Sequence, residues 1–343
     1  MPHHRIHFHL HRMTMTELIS LLAAISFVWF FVEKSISSDH LRYTTEEKYV
    51  ALRPIRHRIG NQLFHIASGY GIARTLKRKL YYSLPESFNI TRKYLNQLAE
   101  TFPKTARIYE ILQNESVPQT EVQMATDTDM FKACCKFYNP CRLIHHPAKF
   151  LFLKMNLVQN RRYFEDYLPE LHDILQFSEA SRERGEHSLR LLNMSNASAT
   201  MCIHVRRTDF HRFGLETEWN GTVSAAQNIA RKRGLGNYLI FGDDKAFMSS
   251  LATELERDTF TGAQPKAFIS MFSEVTDFYL SSQLCSALLL SAASSTFGWW
   301  LGFFARNQNA VYYYKSGRPV ENFRFLRNEF FLKSWRLYDG GHG

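Results

Sequence analysis

The residues best suited to chemistry follow a short apolar segment near the middle of the chain. Residues 201–210 read Met-Cys-Ile-His-Val-Arg-Arg-Thr-Asp-Phe, and the apolar, β-branched start of this segment predicts a buried strand. A guanidinium can bind a phosphate through two parallel hydrogen bonds. Because alternate residues of a strand point to the same side, we expect His204 and Arg206 to face one diphosphate. Arg207 should point the other way, where an ion pair with Asp209 would align it. The alternative to a ligand site is a strand that simply ends in a solvated ion pair between arginine and aspartate.

Alternating strands and helices surround this segment. Such alternation predicts a parallel, Rossmann-like sheet. We expect residues 51–192 to form a first Rossmann-like domain and residues 193–343 a second, with residues 85–150 irregular. Apolar runs predict strands over residues 51–55, 79–83, 201–205, 237–241, 267–272 and 287–291. Helical spacing predicts helices over residues 63–79, 163–177, 223–233, 245–256, 276–286 and 297–305.

The N-terminal region predicts a membrane anchor. Residues 18–32 are uncharged and end in aromatic side chains, and counting back to Met13 gives about 20 residues, the length of a spanning helix. No small-residue cleavage site follows, which disfavours a cleaved signal peptide. The short span suits the thin bilayers of the early secretory pathway. We expect a single-pass type II Golgi membrane protein, with residues 1–17 cytoplasmic, residues 33–50 a stem and the rest lumenal.

Glycosylation sequons support a lumenal location for the remainder of the chain. The pattern Asn-x-Ser/Thr marks acceptor sites for N-glycans in secreted proteins. It occurs after the predicted anchor at Asn89, Asn114, Asn193, Asn196 and Asn220.

All the cysteines follow the predicted anchor, so an oxidising lumen would allow them to pair. Cys134 or Cys135 is expected to pair with Cys141 and close a short loop. Cys202 lies inside the predicted key strand and is expected to be an inert buried thiol.

The charge of the chain favours an anionic partner. Lys and Arg number 42 against 32 Asp and Glu, a formal net charge of +10, which suits an anionic ligand or surface. No zinc-finger spacing, basic heptad or ribonucleoprotein-type aromatic motif occurs, so we expect no nucleic acid partner. Asp127-Thr128-Asp129 matches an Asp-x-Asp metal signature, but a polar segment precedes it rather than an apolar strand. We therefore expect no metal site.

Four segments in this order resemble the α-1,2-fucosyltransferases, within a wider group that includes the protein O-fucosyl and α-1,6-fucosyl transferases. They are Arg-Ile-Gly-Asn-Gln-Leu-Phe at 58–64, His-Val-Arg-Arg-Thr-Asp at 204–209, Phe-Gly-Asp-Asp at 241–244, and Ser-Ser-Thr-Phe-Gly-Trp-Trp at 294–300. The first segment departs from the usual Gly-Gly-Leu-Gly-Asn-Gln opening. The irregular region 85–150 looks like the nematode branch of the family.

The resemblance implies a GT-B fold, in which two Rossmann-like domains face each other across a cleft and the second binds most of GDP-β-L-fucose. It implies inverting transfer of fucose to a glycan of a glycoprotein or glycolipid, most typically to the 2-hydroxyl of galactose, with no metal or other cofactor. Arg206 matches the arginine that binds the β-phosphate, and Asp277 matches the acidic residue that recognises guanine. The residues that match donor-binding positions are His204, Arg206, Arg207, Asp277, Ser295, Thr296, Arg58, Gly60 and Asn61.

The chemistry of these residues fits such a reaction. A nucleoside diphosphate leaving group gains negative charge as the glycosidic bond breaks, and a positioned arginine stabilises that charge and can replace a metal. The acceptor hydroxyl needs a base or a good hydrogen-bond acceptor, and Asp209 and Glu216 are the nearest carboxylates in sequence to Arg206. Protein O-fucosylation, α-1,6-fucosylation and an inactive sugar-nucleotide-binding or lectin-like Golgi protein are the alternatives.

Overall fold

The computed structural model describes residues 47–84, 86–112, 118–124, 135–194, 199–258, 264–314 and 327–339. Within these ranges no helix has both the length and the apolarity needed to cross a membrane. Several sequence predictions concern residues outside the described ranges. These are the cytoplasmic tail, the anchor at 18–32, the stem up to residue 46, Asp127 to Asp129, Cys134, Asn114 and Asn196.

The compact unit Lys48–Gly343 contains two sheets, and the first is parallel with the strand order β3-β2-β1-β5-β4. Strand β5 (Phe150–Lys154) was not predicted, since its short apolar run fits either a strand or a helix. Its five residues alternate between buried and half-buried. The strands of the first sheet are β1 (Tyr49–Leu52), β2 (Lys79–Ser83), β3 (Tyr109–Leu112), β4 (Thr120–Gln123) and β5 (Phe150–Lys154).

The second sheet is also parallel and has the order β11-β10-β9-β6-β7-β8. Read from β8, this is the strand order of a Rossmann sheet, whose switch point lies between β6 and β9. The four strands predicted in this half are confirmed within a few residues, whereas β10 and β11 were not predicted. The strands are β6 (Thr200–Val205), β7 (Asn237–Gly242), β8 (Lys266–Ile269), β9 (Cys285–Leu290), β10 (Val311–Tyr314) and β11 (Arg336–Tyr338).

Helices connect most of these strands. The predicted helix over residues 163–177 is wrong in extent, because α-helix covers only residues 168–174 and two 3₁₀ turns precede it. Serine and aspartate side chains cap the helices that begin at Glu179, Lys245, Glu274 and Thr296, as these residue types prefer. The helices are α1 (Ile59–Leu76), α2 (Asn89–Thr101), α3 (Leu168–Ile174), α4 (Glu179–Leu192), α5 (Trp219–Arg233), α6 (Lys245–Glu256), α7 (Glu274–Leu284), α8 (Thr296–Phe304) and α9 (Arg327–Phe330).

Helices α1 and α8 pack directly against each other and join the cores of the two sheets. The Phe64 ring centroid lies 4.7 Å from that of Trp299, which is fully buried. The indole Nε1 of Trp300 donates a 3.0 Å hydrogen bond to the carbonyl oxygen of Gly60. A Cβ atom on Gly60 would lie 2.7 Å from the backbone nitrogen of Phe297, so only glycine permits this approach.

The cysteine pairing differs from the prediction. Cys202 is not a free thiol but forms a disulfide with Cys285, which joins the neighbouring strands β6 and β9. Cys141 is a free, exposed thiol, so the predicted loop closed at Cys141 is wrong. Cys135 is disulfide-bonded. The pairing of Cys202 depends on which strands become neighbours, and spacing along the chain does not encode that.

Candidate active site

A cavity of about 400 Å³ lies where strands of both sheets end. Most of its lining residues follow β1 and β5 of the first sheet and β6 and β9 of the second. These pairs of strands flank the points at which the strand order of each sheet reverses, the position where open α/β sheets bind ligands. Of the predicted site residues, the cavity wall holds Arg58, Gly60, Asn61, Arg206, Asp209, Ser295 and Thr296.

Arg206 is held at the edge of the cavity by two carboxylates. Its Nε and Nη2 lie 2.8 Å from the two oxygens of Asp209, and its Nη1 lies 3.2 Å from Asp243. The prediction that Asp209 aligns Arg207 is therefore wrong, because the loop after β6 turns and brings Asp209 back to Arg206. Burial disfavours the Asp209 anion, but the hydrogen bond and charge of Arg206 outweigh this effect and lower the pKa of Asp209.

Arg207 points away from the cavity, as its place in the strand predicts, and braces the loop. Its Nε lies 3.2 Å from Asp244, and its Nη1 donates a 2.7 Å hydrogen bond to the carbonyl oxygen of Thr217. Its guanidinium also lies 4.3 Å from the centroid of the Phe247 ring. The Phe-Gly-Asp-Asp segment thus supplies one carboxylate to each of the adjacent arginines.

His204 does not line the cavity but is fully buried behind it. Its Nε2 lies 3.3 Å from Ser295 Oγ, and its Nδ1 has no hydrogen-bond partner. Burial, with the nearby Arg206 charge, lowers the pKa of His204 to about 3, so the imidazole is neutral. A Cβ atom on Gly298 would lie 2.6 Å from His204 Nδ1. We infer that His204 positions Ser295 instead of touching a ligand itself.

The N-terminus of α8 opens into the cavity. Ser295 Oγ accepts a 3.3 Å hydrogen bond from the Gly298 N–H and caps the helix. The first N–H groups of a helix have no intrahelical acceptor, so Thr296 and Phe297, both in the cavity wall, present donors suited to an anion. Ser294 also lines the cavity, and its buried hydroxyl has no hydrogen-bond partner.

A model of glycosyl transferase family 11 matches residues 143–338, more than half of the chain. The chain belongs to glycosyl transferase family 11. The family assignment that the four segments predicted is therefore confirmed.

This family 11 member is also similar to two proteins of Caenorhabditis elegans and matches a solved structure. A galactoside 2-alpha-L-fucosyltransferase of Caenorhabditis elegans is 26% identical over 308 residues, 85% of this chain and 81% of its own. A second Caenorhabditis elegans protein, named provisionally for the same activity, is 26% identical over 332 residues, 92% of this chain and 88% of its own. Among solved structures, the fucosyltransferase NodZ from Bradyrhizobium matches 80% of this chain and 96% of its own with a TM-score of 0.47 and 12% identity.

Two carboxylates predicted for the site of this glycosyltransferase lie outside the cavity wall. Glu216 lies 3.7 Å from His211 Nδ1, and Asp277 is buried and hydrogen-bonded by Ser270. Burial raises the pKa of Asp277 to about 7, although the Ser270 bond and the charge of Lys245 oppose the shift.

Sequence reasoning missed Glu274, which lines the cavity at the start of α7. Its carboxylate accepts a 2.7 Å hydrogen bond from Arg58 Nη2, so residues that are 216 positions apart form an ion pair in the cavity wall. A serine cap followed by an acidic residue marks the helix start, but that pattern does not show that the carboxylate meets Arg58.

Three predicted glycosylation sites lie on the surface of the described chain: Asn89, Asn193 and Asn220 are exposed. Within the described ranges, no group of three or more His, Cys, Asp or Glu side chains is arranged to hold a metal ion.

Proposed function

We propose that this family 11 glycosyltransferase transfers L-fucose from GDP-β-L-fucose to the 2-hydroxyl of a galactose in a glycan, with inversion at the fucose carbon. The observation that carries the proposal is the position of Arg206, clamped by two carboxylates beside the N-terminus of α8 in one cavity. The names of the Caenorhabditis elegans relatives support the same donor sugar and acceptor position.

The donor diphosphate is proposed to lie between Arg206 and the start of α8. The contacts to Asp209 and Asp243 involve three of the five N–H donors of the guanidinium, and the remaining N–H donors are available to phosphate oxygens. The N–H groups of Thr296 and Phe297 and the unpartnered Ser294 hydroxyl supply further neutral donors. This arrangement corresponds to a GT-B enzyme, in which the second Rossmann-like half binds most of the nucleotide.

Arg206 is proposed to stabilise the leaving group in the transition state. As the bond between fucose and the β-phosphate breaks, negative charge accumulates on the phosphate oxygens. A guanidinium already fixed by carboxylates needs no reorganisation at that moment, and one such donor is worth ~10²–10³ in rate. Because arginine and helix N–H groups supply this charge stabilisation, the proposed reaction needs no metal or other cofactor.

Asp209 is proposed to act mainly through Arg206. A carboxylate that accepts hydrogen bonds from a guanidinium through both oxygens, with a lowered pKa, is a weak base for the acceptor hydroxyl. Its fixed pairing instead determines how the Arg206 guanidinium faces the diphosphate.

The location in the cell is proposed from the sequence. We propose a Golgi enzyme of type II topology, anchored by residues 18–32 and carrying N-glycans on its lumenal part. Glycosidase treatment of the cell-expressed protein should increase its gel mobility. An unshifted band, or a mature N-terminus that begins after residue 32, would contradict this topology.

Transfer of labelled fucose by the full-length chain in detergent tests the function. The acceptor panel should contain galactose-terminated glycans, folded small protein domains and N-glycan cores. We expect label on the galactosides, with the new linkage at the 2-hydroxyl. Label on the protein domains or the N-glycan cores would move the chain to another fucosyl transfer, and GDP-fucose binding without any turnover would identify a sugar-nucleotide-binding protein.

A further inference from the structure

One face of helix α2 forms a wall of the cavity. Ile90, Lys93 and Tyr94 all line it, and residues separated by three and four positions lie on one face of a helix. The helix is fixed to the loop after β1, because Thr91 Oγ1 donates a 2.6 Å hydrogen bond to the carbonyl oxygen of Ile55. This wall therefore belongs to the first half of the chain, whereas Arg206 and the α8 N-terminus belong to the second.

The three side chains offer the contacts that a sugar ring requires. Ile90 is 49% exposed and presents apolar surface to the cavity. Tyr94 is half-buried, and its hydroxyl lies close enough to Arg58 for the two groups to interact electrostatically. Binding sites commonly combine apolar surface with a few placed polar groups, and a sugar has apolar C–H faces and a rim of hydroxyls.

Within the described ranges, Lys93 places an ammonium group in this wall that is not paired with either nearby carboxylate of the cavity. The cavity-wall carboxylates of Asp209 and Glu274 each pair with an arginine. In the part of the chain that the structure describes, Lys93 is exposed and forms no ion pair with either of them. An ammonium group has donors only, so Lys93 can donate hydrogen bonds to the oxygen atoms of a ligand at this wall.

We propose that Ile90, Lys93 and Tyr94 form the acceptor subsite and bind a terminal galactose of a larger saccharide. The inference rests on the proposed fucosyl transfer and assigns to α2 the substrate that receives the fucose. The C–H face of the galactose packs on Ile90 and the Tyr94 ring, while Lys93 donates to ring hydroxyls. Arg58 lies near Tyr94 and donates a hydrogen bond to Glu274, so this wall adjoins that ion pair.

Steady-state kinetics of the full-length enzyme test the subsite. Ile90→Ala and Lys93→Ala should each raise KM for a galactoside acceptor roughly tenfold, the effect of losing about 1.4 kcal/mol of binding. KM for GDP-fucose and the Kd of GDP should stay within about twofold of wild type, because the proposed diphosphate contacts, Arg206 and the start of α8, lie on the opposite half. Tyr94→Phe keeps the ring and should raise the acceptor KM less than either alanine variant does.

Asn96→Ala is the matched control, because Asn96 is exposed on the same helix but lies outside the cavity wall. It should keep wild-type constants, and thermal melting should show all the variants folded. Unchanged acceptor KM in Ile90→Ala and Lys93→Ala, with an active wild type, would overturn the subsite alone. A raised KM for GDP-fucose with an unchanged acceptor KM would assign α2 to the donor instead. A wild-type enzyme that turns over no GDP-fucose with any galactoside would overturn the proposed function itself.

Discussion

Replacing Arg206 with lysine tests the proposed mechanism most directly. The guanidinium contacts three carboxylate oxygens, two at 2.8 Å and one at 3.2 Å. A lysine keeps the positive charge but has one ammonium group, so it cannot meet Asp209 and Asp243 and also face the phosphate with a planar edge. Arg206→Lys removes one fixed donor, and we expect the transfer rate to fall by ~10²–10³, which corresponds to about 2.7–4 kcal/mol.

The folded structure should tolerate this replacement. Asp209 is 46% exposed and can be solvated by water. Asp243 keeps its 2.9 Å hydrogen bond from the Arg207 N–H and its 2.5 Å bond from the Thr208 hydroxyl. The loss of the contact between Arg206 and Asp243 should therefore lower the free energy of unfolding by about 1 kcal/mol. This change is small beside the expected loss of rate.

Arg207→Lys is the matched control for Arg206→Lys. It removes the hydrogen bond to Thr217 and the contact over Phe247, both of which brace the loop rather than face the cavity. Its melting temperature should fall, whereas its transfer rate at saturating donor and acceptor should stay close to that of the wild type. The measurements are single-turnover fucose transfer and thermal melting for both variants. A near-wild-type rate for Arg206→Lys would refute the assignment and move phosphate binding to another basic residue of the cavity.

Four further predictions follow from the fold and the chemistry. Gly60→Ala should lower the melting temperature, since the added methyl meets backbone at 2.7 Å and such overpacking costs roughly 1–3 kcal/mol; an unchanged melting curve would contradict this. Replacement of both Cys202 and Cys285, which are 83 residues apart, with serine should reduce the unfolding free energy by about 4 kcal/mol in denaturant titrations. Cys141→Ser is the control, because Cys141 is an exposed free thiol. It should change the unfolding free energy by less than about 0.5 kcal/mol. Burial raises the folded-state pKa of Asp277 to about 7. The contribution of Asp277 to stability is therefore complete below about pH 4 and is lost as the pH rises through 7. The melting temperature should decline across this range, and Asp277→Asn should reduce that decline. Transfer should survive a chelator, and activity lost in chelator and restored by manganese would refute the arginine-based mechanism.

The sequence predicted the second sheet better than the first for a physical reason. Strands β6, β7 and β9 are almost entirely buried, and central parallel strands appear in sequence as continuous apolar runs. In the first sheet, β3 and β4 are half-exposed strands of four residues each, so they lack such a run and were not predicted.

The candidate site was predicted one residue at a time but not as a set of contacts. Alternation along a strand was enough to separate Arg206 from Arg207. The partners of Arg206 depend on a loop that reverses direction to bring back Asp209 and on the end of β7, which supplies Asp243. The bond between Arg58 and Glu274 depends on how the two halves of the chain meet. Local pattern contains neither kind of information, because both arise from packing between distant segments.

The contact between α1 and α8 limits how the enzyme can move. One hydrophobic cluster contains core residues of both sheets, including Leu52 and Leu290, and the backbones meet at Gly60 and Phe297 without room for a methyl group. Domains joined by small, polar contacts move freely against each other, whereas a large apolar interface restricts such motion. Any closure around substrates should therefore leave this contact intact, with the smallest displacement beside Ser295.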